Sequence, residues 1–385
     1  MLAKLKRVVP SPTGRLIAVS DVHGHKALFD ELLEKICLTP ADTLIIVGDI
    51  CERGEDTLGM IRRAMQLCKG GRAHMCIGNN ELWTLSYLTG EMNHSARDAY
   101  EYARGMTARH GSSLFVEMCR ELDIAFGPEM DAEAARRECL RCFAPEIDFL
   151  MDLPTFIDTP EYLFVHGGMP SGDAERYVGM EVHPFLKNDA FIEKGVCFEK
   201  YLIVGHWPSG LYRADKADYS PYISRRQRIV DIDGGVGLKF DAQLNALLLP
   251  RGGDDFSWMS VDGIAPSYAL DAQAPSRDPV HVRWGHGDVD VLAERGDIAL
   301  VRHVETGREL YAPVSLLYDR SEGSARCQLD GLSSYELEVR PGDELHVLLS
   351  TSRGYLAKKG SVTGWYRGRV AQRAPEINPS ARKCD

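Results

Sequence analysis

Six residues share one sequence setting: Asp21, His23, Asp49, Asn79, His166 and His206. Each follows a short apolar run and lies in a Gly- or Ser-flanked cluster. The clusters are Ser20-Asp21-Val22-His23-Gly24, Gly48-Asp49, Gly78-Asn79, His166-Gly167-Gly168 and Gly205-His206. Carboxylate oxygen and neutral imidazole are ligand types that suit Mn, Fe and Zn. Two carboxylates, three imidazoles and one amide carbonyl are too few for two separate closed sites. They suffice for two metals sharing a carboxylate, and Asp49, between the two halves of the set, is the expected bridge. Two metals about 3.5–4 Å apart hold a hydroxide between them and clamp both ends of an in-line phosphoryl displacement. Arg53, just past the bridge, offers a planar fork to phosphate oxygens. A lone His after a strand is ordinarily a hydrogen-bonded structural residue. The joint recurrence is what points to a metal site.

The elements that must position these groups are legible by period. Apolar runs at 16–19, 43–47 and 73–77 read as buried strands. Helical spacing over 25–36 (Leu28, Leu32, Leu33, Ile36) and 57–68 (Met60, Ile61, Ala64, Met65, Leu67) places helices between them. In open α/β sheets the ligand site forms outside the carboxyl ends of the strands, so the clusters are expected to converge. Residues 82–150 read as a helical insertion over the site. Strands follow at 162–165, 201–204, 229–232 and 242–249.

The chain has 385 residues, enough for two or three domains. The composition shifts to Gly, Asp, Ser and Pro, as in a linker or loop, over the whole of 251–279. The expected division is a catalytic domain over 1–260, a linker over 261–279 and a β segment over 280–314. A small β domain over 315–375 and a tail over 376–385 complete it. At 44% hydrophobic and 26% charged the chain reads as globular. No run approaches the roughly 18 apolar residues of a membrane span, so no membrane partner is expected. The first residues lack the apolar core of a secretory signal. The net charge of −11 argues against a general nucleic-acid binder. Ten cysteines without a framework of spacings read as reduced thiols in a cytoplasm.

The ordered clusters resemble the calcineurin-like metallophosphoesterases, within them the phosphoprotein phosphatase superfamily, which includes the symmetrical diadenosine-tetraphosphate hydrolases. The family's motifs stand here as 20–24, 48–54, 78–81, 166–168 and 205–206, and Trp207 is similar to the diadenosine-tetraphosphatase branch. The resemblance covers about residues 14–250. It implies an α/β fold, a β-sandwich flanked by helices, with two divalent metal ions. Mn or Fe is expected, and Zn and Ni are compatible. By that resemblance Asp21, His23 and Asp49 hold one metal, and Asp49, Asn79, His166 and His206 hold the other. Arg53 and Asn79 are the implied phosphate binders.

Three departures from the family pattern bear on the reaction. Asn80 stands where the family has the histidine that protonates the leaving oxygen, and an amide is no acid near neutral pH. A lost general acid typically costs about 10²–10⁴ in rate. Glu52 replaces the aspartate that orients that histidine, forms a changed pair with Asn80 and is itself a candidate acid. The family's second phosphate-binding arginine segment has no clear equivalent. The substrate is thus expected to be a phosphorylated protein or a small phosphate ester or anhydride. The alternatives are a catalytically weak or inactive module that binds metal and phosphate, or an engineered variant lacking its acid.

Near the C-terminus, Leu316-Leu317-Tyr318-Asp319, Gly342-Asp343 and Gly364-Trp365-Tyr366 resemble an SH3 domain in order and spacing. The resemblance implies a small all-β SH3-like module, with 280–314 as a partial second barrel. Such a module grips a Pro-rich partner through its aromatic residues, or serves packing and self-association.

Overall fold

The computed structural model describes residues 1–320 and 324–372. The chain forms two compact units: Met1–Ser209 with Ser220–Asp262, and Gly210–Tyr219 with the residues from Gly263 onward.

In the first unit Leu16–Val19, Thr43–Val47 and Ala73–Cys76 run parallel, with Leu16 beside Thr43 and Val47 beside Cys76. Leu244–Leu249 and Ser257–Val261 extend this sheet antiparallel to five strands. A six-stranded sheet faces it, and Tyr162–Phe164, Tyr201–Val204 and Ile229–Asp231 run parallel within it. Ala18, Ile45 and Leu247 of the first sheet share a buried cluster with Ile157, Phe164 and Val230 of the second. Helices Lys26–Lys35 and Thr57–Lys69 pack on the five-stranded sheet and bury Phe29, Leu32, Met60 and Ile61. Strands covered on both faces read as unbroken apolar runs rather than alternation, and all of Leu16–Val19 and Thr43–Val47 is buried. The expected sandwich flanked by helices is therefore present, with helices at Asn79–Thr89, Ala96–His110, Leu114–Glu121, Ala132–Cys142 and Ala144–Asp152 over the expected insertion.

Parallel pairing brings the strand-end clusters to one edge, and the loops there are locked to each other. The backbone N–H groups of Asp21, His23 and Gly24 donate to the carbonyls of Gly48, Asp49 and Ile50 at 3.2, 3.0 and 2.8 Å. Glu81 completes the lock. It is fully buried. Its Oε2 accepts from the N–H of Gly78 at 2.7 Å and of Asp49 at 2.8 Å, and its Oε1 from Ile50 at 2.8 Å and Cys51 at 2.9 Å. Glu81 is the third residue of helix Asn79–Thr89, where a carboxylate satisfies otherwise orphaned donors. Farther along the same sheet, Asp42 accepts from Arg15 Nε at 3.1 Å, Arg15 Nη2 at 2.7 Å and the N–H groups of Arg15 and Thr39 at 2.8 and 2.9 Å.

Two stretches differ from expectation. Residues 251–279 are not wholly a linker: Ser257–Val261 pairs with Leu244–Leu249, and Pro266–Ala269 pairs with Glu344–Thr351. The first is mostly exposed, Trp258 and Met259 included, so backbone pairing rather than burial of an apolar face makes it a strand. The second starts at Pro266, a position that needs no ladder donor.

The second unit is built of antiparallel strands. A six-stranded sheet contains Glu344–Thr351, Gly354–Lys359 and Val362–Tyr366, and a five-stranded sheet contains Asp288–Arg295, Ile298–His303 and Glu309–Pro313. Trp365, the expected peptide-gripping aromatic, is 2% exposed and packs in the core with Val301, Leu310 and Leu356. An enclosed indole cannot lie against a Pro-rich partner. The last residues of the expected 315–375 module and the tail over 376–385 lie outside the described residues. Among those described, no helix is long and apolar enough to cross a membrane.

Glu81→Gln would turn an accepting oxygen into a donor that faces two buried N–H groups. The unfolding free energy in urea should fall by about 3 kcal/mol, and further in Glu81→Ala. The Asp42 carboxyl is held well below the usual range, chiefly by Arg15. A depressed carboxylate adds stability that is complete above its unfolded pKa of about 4 and is lost as pH falls. Asp42→Asn should cost about 2 kcal/mol at pH 7, and the gap to wild type should narrow as urea melts are repeated below about pH 4.

Candidate metal centre

Asp21, His23, Asp49, Glu52, Arg53 and His206 all adopt left-handed backbone angles, with φ of 53°, 49°, 53°, 63°, 66° and 73°. Non-glycine residues there cost of order 1–3 kcal/mol each and persist only where surroundings over-determine them. The loop-to-loop bonds and Glu81 do this for Asp21, His23 and Asp49, and the Glu52 N–H donates to Thr57 Oγ1 at 3.2 Å. The result turns side chains from different loops toward one volume. Gly78 and Gly205 allow the approach: a Cβ on either would come within 2.2 Å of a carboxylate oxygen, of Asp49 and Asp21 respectively.

One ligand atom each from Asp21, His23 and Asp49 lies within 4.8 Å of the others, and all three residues are buried. His23 Nε2 stands 3.7 Å from Asp21 Oδ1 and 3.9 Å from Asp49 Oδ2. On the other side of Asp49, His166 Nε2 stands 3.4 Å from the same Oδ2 and 3.1 Å from Asn79 Oδ1. Asp49 thus faces both halves of the set. His206 joins through its backbone N–H, which donates to Asp21 Oδ2 at 3.1 Å, and its ring lies 5.4 Å from that of His166. The six expected ligands are together.

The imidazoles are held in definite tautomers. His166 Nδ1 donates to the Val47 carbonyl at 2.8 Å, and His23 Nδ1 faces the Cys51 carbonyl at 3.4 Å. Their Nε2 atoms face the centre. Burial, with Arg53 nearby, lowers His23 to about 3 and keeps it neutral. Around His166 the electrostatics run the other way. Burial disfavours its charge, yet the Asp49 and Asp21 carboxylates raise it to about 10. Burial pushes Asp21 up to about 6 although His166 is near, whereas Asp49, despite burial, is held low by His166. The reason is a crowd of electron-pair donors: His166 Nε2, Asn79 Oδ1 and an Asp49 oxygen converge with no donor hydrogen among them unless the ring takes a proton. Such a cluster needs a cation, and a divalent metal displacing that proton fits the donor set.

The two residues at the family's acid position do not pair as expected. Asn80 donates its side-chain amide to Asp49 Oδ2 and its backbone N–H to Asp49 Oδ1 at 2.8 Å. Glu52 instead accepts from Thr84 Oγ1 at 3.2 Å and the Leu114 N–H at 3.3 Å. The changed pair is not formed because the longer Glu52 side chain is held by helix Leu114–Glu121 while Asn80 is held by the ionised Asp49. Glu52 Oε2 is buried without a partner, and burial raises its carboxyl to about 8 despite the Leu114 and Thr84 bonds. Arg53 is half-buried and makes no hydrogen bond or ion pair among the described residues, while its charge reaches His23. It is a fork without an occupant.

Three further groups belong here. Glu81 was visible as the last residue of the 78–81 cluster and as a helix-start carboxylate. Asp233 follows the strand Ile229–Asp231 and is followed by two glycines, the same signal as the other ligands. It is fully buried, and burial and Asp21 push its carboxyl well up. Asp189, on His206, lies in an irregular stretch with no sequence signal.

The calcineurin-like phosphoesterase family model matches residues 14–221. A symmetrical bis(5′-nucleosyl)-tetraphosphatase of Nitrosomonas europaea is 24% identical over 243 residues, 60% of this chain and 76% of that protein. The namesake of Ralstonia nicotianae is 35% identical over 85 residues, 22% of this chain and 29% of that protein. A protein serine/threonine phosphatase structure from Saccharomyces cerevisiae is 12% identical with a TM-score of 0.41, covering 68% of this chain and 85% of that one. With more than half of its length matched by the family model and a buried donor cluster suited to divalent metal, the chain belongs to the calcineurin-like phosphoesterases.

Proposed function

We propose that the chain hydrolyses a phosphoanhydride, of the kind that joins the phosphates of a dinucleoside polyphosphate, at a two-metal centre. Asp21, His23, Asp49, Asn79, His166 and His206 would hold the metals, with Mn or Fe the expected ions. When bound, such metals supply Lewis acidity toward phosphoryl oxygen and acidify water. The observation that carries the choice of substrate is the bond from the Asn80 amide to Asp49. Asn80 carries no transferable proton, and its N–H is committed to the bridging carboxylate. With Asn80 so committed and Glu52 held by Thr84 and Leu114, the leaving oxygen departs largely unprotonated on this reading. A phosphate leaving from an anhydride, or a phenolate, tolerates this, whereas the alkoxide of a phosphoserine does not. Relatives named as tetraphosphatases support the same choice.

Each residue of the chain then has a defined task. Arg53, free of protein partners, offers paired N–H donors to the equatorial phosphate oxygens. Asn80 orients Asp49 rather than acting as an acid. Glu52, protonated at neutral pH by its burial, holds the turn that carries Arg53 through Thr84 and Leu114. The second unit, with Trp365 enclosed, is better suited to packing or self-association than to reading Pro-rich peptides.

Hydrolysis of diadenosine tetraphosphate, p-nitrophenyl phosphate and a phosphoserine peptide should be compared with Mn²⁺ present. The anhydride and aryl ester should turn over well ahead of the peptide. Asn80→His should raise peptide hydrolysis by about 10² while changing anhydride hydrolysis little. Equal gains on all three would show an enzyme that merely lacks its acid. Asp49→Asn, which keeps the side-chain volume, should lower bound metal from two ions to one per chain by elemental analysis and abolish turnover. Two metals in that variant would refute the bridge.

A further inference from the structure

Each imidazole of the centre has one nitrogen occupied by an acceptor. For His23 and His166 the occupied atom is Nδ1, facing a main-chain carbonyl. His206 is reversed: its Nε2 lies 2.7 Å from Asp189 Oδ1. A carboxylate only accepts, and this 2.7 Å contact outweighs the 3.5 Å approach of Lys187 Nζ to the same nitrogen, so Nε2 carries the hydrogen and the lone pair is on Nδ1. The pair is built rather than incidental. The His206 side chain is 7% exposed, and the residue's backbone is pinned to Asp21. Asp189 is in turn held by Lys187 Nζ on the same oxygen. The Lys187 and Asp189 side chains are both 43% exposed, so the bond to the enclosed His206 ring is the one that anchors the carboxylate.

We propose that Asp189 is the positioning residue of the candidate centre: it sets the tautomer and ring orientation of His206 so that Nδ1, not Nε2, is the atom offered to metal. The inference rests on the metal-centre reading given above. It explains how a ligand two residues past the strand Tyr201–Val204, beyond the reach of Glu81, keeps its ring in place. Glu81 and main-chain carbonyls secure the other ligands from within, whereas His206 depends on a side chain. A hydrogen-bonded carboxylate behind a metal-bound imidazole typically accounts for 10–100-fold in metal affinity.

The full chain stripped of metal would be titrated calorimetrically with Mn²⁺ alone, as wild type, Asp189→Ala, Asp189→Glu and Lys187→Ala. One of two Mn²⁺ sites should weaken by about 10–100-fold in Asp189→Ala, recover most of its affinity in Asp189→Glu, and change less in Lys187→Ala. Nitrogen NMR of the metal-free chain gives a reading independent of activity and metal. His206 should carry its hydrogen on Nε2 in wild type and become a mixture of tautomers in Asp189→Ala. Unchanged Mn²⁺ affinity in Asp189→Ala, or a wild-type hydrogen on Nδ1, overturns the positioning role alone. A wild-type chain that binds no Mn²⁺ overturns the metal-centre reading and this role with it.

Discussion

A single carboxylate with four hydrogen bonds holds the centre in shape. Glu81 is buried, and each of its oxygens accepts two backbone N–H groups, one at Gly78 and three across Asp49 to Cys51. Those donors would otherwise be unpaired away from water, at a cost of about 1–3 kcal/mol each. The same bonds fix the turn in which Asp49, Glu52 and Arg53 adopt left-handed angles. That conformation is unfavourable for each residue taken singly. One acceptor therefore offsets the strain of several functional residues at once, and the ligand loops can be short and still point inward.

The charge arrangement follows from burial. Asp21, Asp49 and Asp233 are enclosed together with His23 and His166. Carboxylates so placed repel each other, and the shifts follow: Asp21 and Asp233 are raised, Asp49 is lowered and His166 is raised. A divalent ion held by these donors would supply positive charge among them, and its uptake would compete with protons for the same atoms. Arg53 stands beside this cluster with no ion pair among the described residues, and its charge reaches His23.

Much of this was legible in the sequence because two simple signals coincide. Buried parallel strands give unbroken apolar runs, and chemistry placed at their carboxyl ends leaves polar residues next to glycine. Leu16–Val19, Thr43–Val47 and Tyr201–Val204 have the expected limits for that reason. Where pairing rather than burial makes the strand, as at Ser257–Val261, composition pointed to a loop instead. Asp189 was invisible because nothing periodic surrounds it. The Glu52 and Asn80 pairing failed for a different reason. Analogy supplies which residues are neighbours in a motif, but the ionised Asp49 and helix Leu114–Glu121 compete for the same two side chains and win.

That competition also bears on what kind of catalyst this is. A histidine beside Asp49 would share its hydrogen between the carboxylate and a leaving group, and would alternate between two protonation states during turnover. The amide of Asn80 has one state and one orientation on Asp49, so this carboxylate is held constantly and its charge does not vary with pH through this neighbour. On the function proposed above, the trade is a more rigid bridge for a lost proton. It would be favourable only when the departing oxygen is already a weak base, and so the proposed substrate class rests on the same hydrogen bond that steadies Asp49.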